Sequence, residues 1–297
     1  MKKVLLIALL VAAQALAAQT PETYTNSRGD RHIAGPFDLD LLRTDTTFKK
    51  WYDTNSQKFS LKGESTKWKK SLKNTQVDIY LGTWCGDSKR WVPQFVKMWT
   101  DLGLSEDRLK FTALYDGIEK YKQGPNQEEK GLNIHRVPTF IFKEKGEEYA
   151  RIVEFPRNDL EQDLAQIAVG YASEPNYRAA TYLLNLFETT SIEDIWKEAN
   201  KHLSEVYHLV GKDSELNTLG YVLDRSDRKE QALLVFQMNS IIYRYTPRAF
   251  ANFGKALEDA DRKEEAIVAF KRALELDPKN ETAKERLAVL APEEEGQ

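Results

Sequence analysis

A spacing of 34 residues constrains this chain more than any other feature. Leu219-Gly220, Ala232 and Phe236 recur as Phe253-Gly254, Ala266 and Phe270, each 34 residues on. A fixed offset of this size marks a supersecondary unit repeated along the chain. The hydrophobic period over residues 213–290 is helical, so each unit is expected to be a pair of helices. The small residues at Gly220, Ala232, Gly254 and Ala266 let the helices approach, and the aromatics fill the space opposite. Pro278 stands where the second unit should end, and a further helix is expected from Glu281 to Leu290 as a cap. One unit cannot bury its apolar face alone, so such pairs stack on one another.

The rest of the chain reads differently. Lys2 and Lys3, the apolar run Val4–Ala13 and the small-x-small triplet Ala15-Leu16-Ala17 have the order of an export signal. Residues 1–17 are therefore expected to be removed, and the run is too short to span a bilayer as an anchor. The expected destination is periplasmic or secreted, with no membrane association after removal. The formal net charge is −3, and loss of the two lysines makes it more negative. That charge offers no electrostatic footprint for nucleic acid. Residues 18–36, polar and broken by Gly29, Gly35 and Pro36, are expected to form a loose lead-in. Arg28-Gly29-Asp30 spells an adhesion tripeptide, but three residues specify little.

From Phe37 to Lys73 two amphipathic helices are expected, one bearing Phe48, Trp51 and Tyr52, the other Trp68 and Leu72. Residues 75–172 then alternate in a readable order. Strands are expected at Val77–Leu81, Leu109–Tyr115, Thr139–Phe142 and Ala150–Val153, and helices at Ser88–Leu102 and Leu160–Tyr171. Two strands joined through a helix, followed by a hairpin and a closing helix, predict an α/β domain over residues 37–172 built on a mixed sheet flanked by helices. After Glu174-Pro175 the pattern becomes helical. Residues 173–212 read either as a connector or as a degenerate repeat, residues 213–290 as the repeats with their capping helix, and residues 291–297 as an acidic tail.

The chain has one cysteine, so no internal disulfide can form. It lies in Thr83-Trp84-Cys85-Gly86-Asp87-Ser88, between a strand-like and a helix-like run. At the start of a helix the unpaired N–H groups and the aligned peptide dipoles favour a thiolate. Trp84 shields one side, and Pro93 falls inside the expected helix. The four histidines, His32, His135, His202 and His208, have no metal-ligand spacing. No metal or other cofactor is expected, and Gly124-Pro125-Asn126 reads as a loop rather than a phosphate cradle.

Trp84-Cys85-x-x-Ser88 with Pro93, followed far downstream by Arg136-Val137-Pro138-Thr139-Phe140, resembles the thioredoxin family. The longer stretch Gly82 to Arg90, with Val92-Pro93 and Arg151–Pro156, is similar to a group of exported bacterial thioredoxin-like proteins. The 34-residue units resemble tetratricopeptide repeats. The resemblance implies a thioredoxin-like fold over 37–172, a cis proline at Pro138 facing the sulfur, and a Val137 backbone left to pair with an extended substrate strand. It implies Cys85, Ser88, Trp84 and Pro138 as the catalytic set, with Val137, Gly86 and Asp87 contacting substrate. Two positions depart from the family. Ser88 stands where the second, resolving cysteine would be. Ile79 stands where a buried carboxylate would be, and strand alternation sends neighbouring Asp78 to the opposite face.

One sulfur without a resolving partner suits a mixed disulfide released by an external thiol or by another thiol of the substrate. The expected activity is monothiol exchange on protein substrates: isomerisation, or reduction with an external thiol. The repeats would recruit a protein partner. A non-catalytic adaptor, binding protein through both regions, is the other reading. Ser88 is expected to cap the helix or to hydrogen-bond the sulfur.

Overall fold

A computed structural model of the chain describes residues 20–63 and 67–291. The export signal expected at residues 1–17 lies outside the described residues, as do residues 292–297 of the expected acidic tail.

The N-terminal half is built on a six-stranded mixed sheet. Its strands are β1 (Glu22–Thr25), β2 (Arg31–Phe37), β3 (Gln76–Leu81), β4 (Leu109–Ala113), β5 (Thr139–Glu144) and β6 (Glu147–Val153). Across the sheet they run in the order β1-β2-β4-β3-β5-β6. The pair β3 and β4 is parallel, with Val77 opposite Leu109 and Leu81 opposite Ala113, and the other neighbours are antiparallel. The parallel pair needs a crossover, which α3 (Gly86–Asp101) supplies. The hairpin β5–β6 closes through Lys145 and Gly146, both at positive φ (54° and 89°), as a tight hairpin turn with the twist of its strands requires.

The two faces of the sheet bury different things. Val77, Ile79, Leu81, Phe140 and Phe142 share one core with α1 (Asp40–Thr44), α2 (Thr46–Ser56), α3 and α4 (Leu160–Ala168). At its centre Phe95 packs on Phe140 with ring centroids 4.5 Å apart. Alternation sends Tyr80 and Ile141 to the other face, against Leu114, Ile134 and Val137. Asp78 lies on that face as expected, paired with Lys143 at 2.7 Å.

The region after residue 173 is all helical: α5 (Arg178–Thr189), α6 (Ile192–Lys197), α7 (Ala199–Leu209), α8 (Asp213–Arg225), α9 (Lys229–Ile242), α10 (Pro247–Asp259), α11 (Lys263–Leu276) and α12 (Glu281–Leu290). The helices of the pairs α8–α9 and α10–α11 cross closely where the repeated glycines lie. A Cβ on Gly220 would meet the Phe236 ring at 2.5 Å, and one on Gly254 the Phe270 ring at 2.8 Å. Residue Val153 at the end of β6 belongs to this helical core, whereas Ile152 belongs to the core under α2–α4. The helical region therefore packs directly on the sheet. No described helix is long and apolar enough to cross a membrane.

Residues 20–36 correct an expectation. The segment expected to be a loose lead-in forms β1 and β2, and β2 is an integral strand beside β4 with Ile33 and Ala34 fully buried. Gly35 and Pro36, read as breakers, are tolerated there: Gly35 sits at φ +97° against the ring of Pro125. The expected helix around Trp68 and Leu72 is a short 3-10 turn, Lys67–Leu72. The strand expected to reach Tyr115 stops at Ala113, because the backbone of Tyr115 instead bonds with Lys122 and Gln123. The helix expected to reach Tyr171 stops at Ala168, two residues before Gly170 at φ +80°.

Candidate sulfur site

Cys85 occupies the N-cap of α3 in an extended conformation (φ −82°, ψ 128°). Its side chain is partly buried, and its thiol donates to the carbonyl oxygen of Val137 at 3.3 Å. The peptide bond between Val137 and Pro138 is cis. A sulfur at residue 85 and a proline at residue 138 thus come face to face, with α3 beginning behind the sulfur.

The corner is held by its neighbours in sequence. The indole N–H of Trp84 donates to the Leu114 carbonyl at 2.8 Å, and its ring lies against Gly82, where a Cβ would meet it at 2.5 Å. Ser88 is buried, and its hydroxyl accepts from the Gly82 N–H at 3.1 Å. It neither caps α3 nor bonds the sulfur, in contrast to both roles expected of it. It braces the turn instead, because Gly82 needs an acceptor in the interior. Gly86 and Asp87 open α3 beside the sulfur, Gly86 exposed and Asp87 half-buried. Thr83 hydrogen-bonds the His32 ring at 3.2 Å, which ties β2 to the sulfur loop. Burial pushes the His32 pKa down.

Behind the proline segment lies a charge cluster that local reading missed. The Arg136 guanidinium pairs with Glu154 at 3.5 Å, stacks 4.4 Å from the centre of the Tyr177 ring, and donates to the Ser214 carbonyl of α8 at 2.6 Å. The Tyr177 hydroxyl bonds Glu154. The backbone N–H of Glu154 donates to the Pro138 carbonyl at 2.7 Å. Burial pushes the Glu154 carboxyl up, while Arg136 opposes that shift and Asp87 adds to it. Lys122 is buried and donates to the His135 carbonyl at 2.9 Å. Its pKa is lowered to about 7, chiefly by burial and then by the charge of Arg136. His135 is also buried, and burial followed by the charges of Arg136 and Lys122 lowers its pKa to about 3. It is a neutral ring packed edge-on to Tyr177.

The structure thus brings Cys85, Trp84, Ser88, Gly86, Asp87, Val137 and Pro138 to one corner, and adds Lys122, Arg136, Glu154 and Tyr177. Lys122 carried no sequence signal: a lysine between tyrosine and glutamine in an irregular segment reads as surface. Among the described residues no cluster of His, Cys, Asp or Glu is arranged to hold a metal.

The family model for the tetratricopeptide repeat matches residues 247–280, the span of α10 and α11. The C-terminal region therefore carries tetratricopeptide repeats, an architecture of stacked helix pairs that binds protein segments. No curated protein matches the chain.

Proposed function

We propose that this is an exported thioredoxin-like protein that performs monothiol thiol-disulfide exchange through Cys85 and uses its repeats to engage a protein partner. The observation that carries this reading is the Cys85 thiol at the start of α3, 3.3 Å from the carbonyl of Val137 beside a cis proline. Once the sulfur ionises it no longer donates to Val137, and that carbonyl becomes free to accept from an extended substrate strand.

The thiolate attacks one sulfur of a substrate disulfide. A bond forms between that sulfur and Cys85, the substrate S–S bond breaks, and the electron pair leaves on the departing thiolate, which takes a proton. Since Cys85 is the only cysteine, a second thiolate from the substrate or from an external thiol releases the adduct. In the first case the substrate is isomerised, and in the second it is reduced. Arg136 donates to the Ser214 carbonyl of α8 and so joins the segment that faces the sulfur to the repeats that would hold the partner.

Incubation with a scrambled-disulfide protein and limiting glutathione tests the reading. Reducible adducts of the full-length protein are expected, together with faster recovery of the native pairing, and both are lost in Cys85→Ala. Absence of adducts with the unaltered protein would falsify exchange and leave a protein-binding adaptor.

A further inference from the structure

The seam between the sheet-based half and the helical region holds a cavity of about 300 Å³. One side comes from the irregular segment between β4 and β5, within residues 123–135. The other comes from Leu184 of α5 and from the end of α8 with the turn that follows it. Gln123 bridges the two sides, its amide donating to the Arg225 carbonyl. At about 30 Å³ for each water-sized volume, the cavity takes roughly ten non-hydrogen atoms. That is the size of a small metabolite. Cavities between packed units serve as ligand sites when a few polar groups converge on them.

Two acceptors in its wall have no donor. Asn133 and His135 both line the cavity, and their Oδ1 and Nε2 atoms are buried and unpartnered among the described residues. Only 3% of His135 is exposed. Its Nδ1 lies 3.4 Å from the Asn133 carbonyl oxygen, which can only accept, so Nδ1 carries the proton and Nε2 keeps its lone pair. Buried acceptors without donors are destabilising, and two of them call for a ligand with two donor groups. Those donors are neutral. Burial and then the charges of Arg136, Lys122 and Arg151 keep His135 unprotonated, and the same charges repel an ammonium.

Three cations line the same cavity: Lys130, Arg225 and Arg228. Arg228 is half-buried, and its nearest carboxylate among the described ion pairs is Glu188, at 3.9 Å. One of its N–H groups goes to Gln231, so most of its donors stay available. Arg225 is paired with Asp224 at 2.9 Å, and Lys130 is exposed beside Gln127. The anions are Asp227, exposed in the turn after α8, and Glu129, which accepts from the Gly124 N–H at 2.8 Å. Arg228 is thus the charge that is both half-buried and short of a counterion, and its planar fork matches a carboxylate. A second cavity, beside α5, shares Asn133, His135 and Leu184. Its cation Arg151 already holds Glu148 through two nitrogens, each at 2.6 Å.

We propose that the cavity binds a small hydroxylated carboxylic acid, a sugar acid by class, whose hydroxyls donate to His135 Nε2 and Asn133 Oδ1 and whose carboxylate pairs with Arg228. A hydroxyl both donates and accepts, which suits a wall that adds Gln127 and Ser226 to the two acceptors. Leu184, Val222 and Leu223 supply the apolar surface for the carbon skeleton. Binding is non-covalent, and nothing in the site depends on Cys85 being reactive.

Calorimetric titration of the full-length protein with D-glucuronate tests the site, with D-glucose as the analogue that lacks the carboxylate. Saturable glucuronate binding is expected. In protein labelled with nitrogen-15 at histidine, the His135 Nε2 resonance, assigned by its loss in His135→Gln, is expected to move on titration. Glucose is expected to bind about tenfold more weakly, the effect of one charge-assisted hydrogen bond, and Arg228→Gln to bring glucuronate down to the level of glucose. Asn133→Gly keeps the positive φ of 54° without strain and is expected to weaken glucuronate by about threefold. A purely structural role for Arg228 predicts no such split between the two ligands. Glucuronate that does not saturate, a His135 resonance that stays in place, or an Arg228→Gln protein that still prefers glucuronate to glucose each overturns the proposal. These three readouts decide it even if Asn133→Gly does not fold.

Discussion

The Arg136 guanidinium donates to the Ser214 carbonyl at 2.6 Å. This bond joins the segment facing the only cysteine to the first turn of α8, and so joins the sheet-based half of the protein to its repeats. Arg136 also stacks on Tyr177 and pairs with Glu154. Removing it leaves Glu154 buried without its cation, a loss of about 3–5 kcal/mol. Arg136→Met is expected to lower the urea midpoint accordingly, and Arg136→Met/Glu154→Gln to recover part of the loss, because no uncompensated charge is then left behind.

Ser88 separates structural support from chemistry. Its hydroxyl is the acceptor for the buried Gly82 N–H. Ser88→Ala leaves that donor unpaired, at a cost of about 1–3 kcal/mol. Adduct formation at Cys85 is expected to be unchanged below the unfolding transition. Urea unfolding and a mass spectrometric adduct assay on the same sample check both parts, and loss of adducts in the folded variant would give Ser88 a chemical role.

The two repeat glycines are expected to resist substitution. Gly220→Ala and Gly254→Ala each drive a methyl into a buried phenylalanine ring, and overpacking of this kind costs about 1–3 kcal/mol. Gly86→Ala is the control, since nothing lies within 4 Å of its added Cβ. The measurement is denaturant unfolding of the three variants side by side. Pairing Gly220→Ala with Phe236→Leu is expected to recover part of the loss.

His135 gives the fold a defined weakness to acid. Its pKa is about 3 in the folded protein and 6.5 in a free chain. Between those values the unfolded chain binds the additional proton, so unfolding takes up protons and stability falls as pH drops from 6.5 toward 3. The full effect is on the order of 5 kcal/mol. His135→Gln is expected to flatten this part of the stability profile, seen as a smaller difference between urea midpoints at pH 7 and pH 4. An equally steep profile in the variant would assign the acid sensitivity to carboxylates.

The sulfur corner and the repeats were legible because each is written in local pattern. A strand, a Trp-Cys pair and a helix start lie within a dozen residues, and the 34-residue offset places glycine opposite phenylalanine in each helix pair. Even Pro138 was found by its own motif. The β2 strand was not legible, because Gly35 and Pro36 are breakers by local propensity and are outweighed by pairing with β4 and burial of Ile33 and Ala34.

The sequence by itself determined what is periodic or contiguous: which residues form strands and helices around Cys85, that one sulfur must act without an internal partner, and that the C-terminal helices come in pairs. Only the tertiary structure decided what surrounds the sulfur. Lys122, Arg136, Glu154 and Tyr177 are dispersed along the chain and meet because the sheet buries one face under α2–α4 and the other against Leu114, Ile134 and Val137, while the helical region packs on Val153 at the end of β6. Periodicity reports which face of an element is apolar, whereas the protonation of a buried lysine or histidine depends on charges and desolvation contributed by remote segments. Those contributions exist only once the chain has folded.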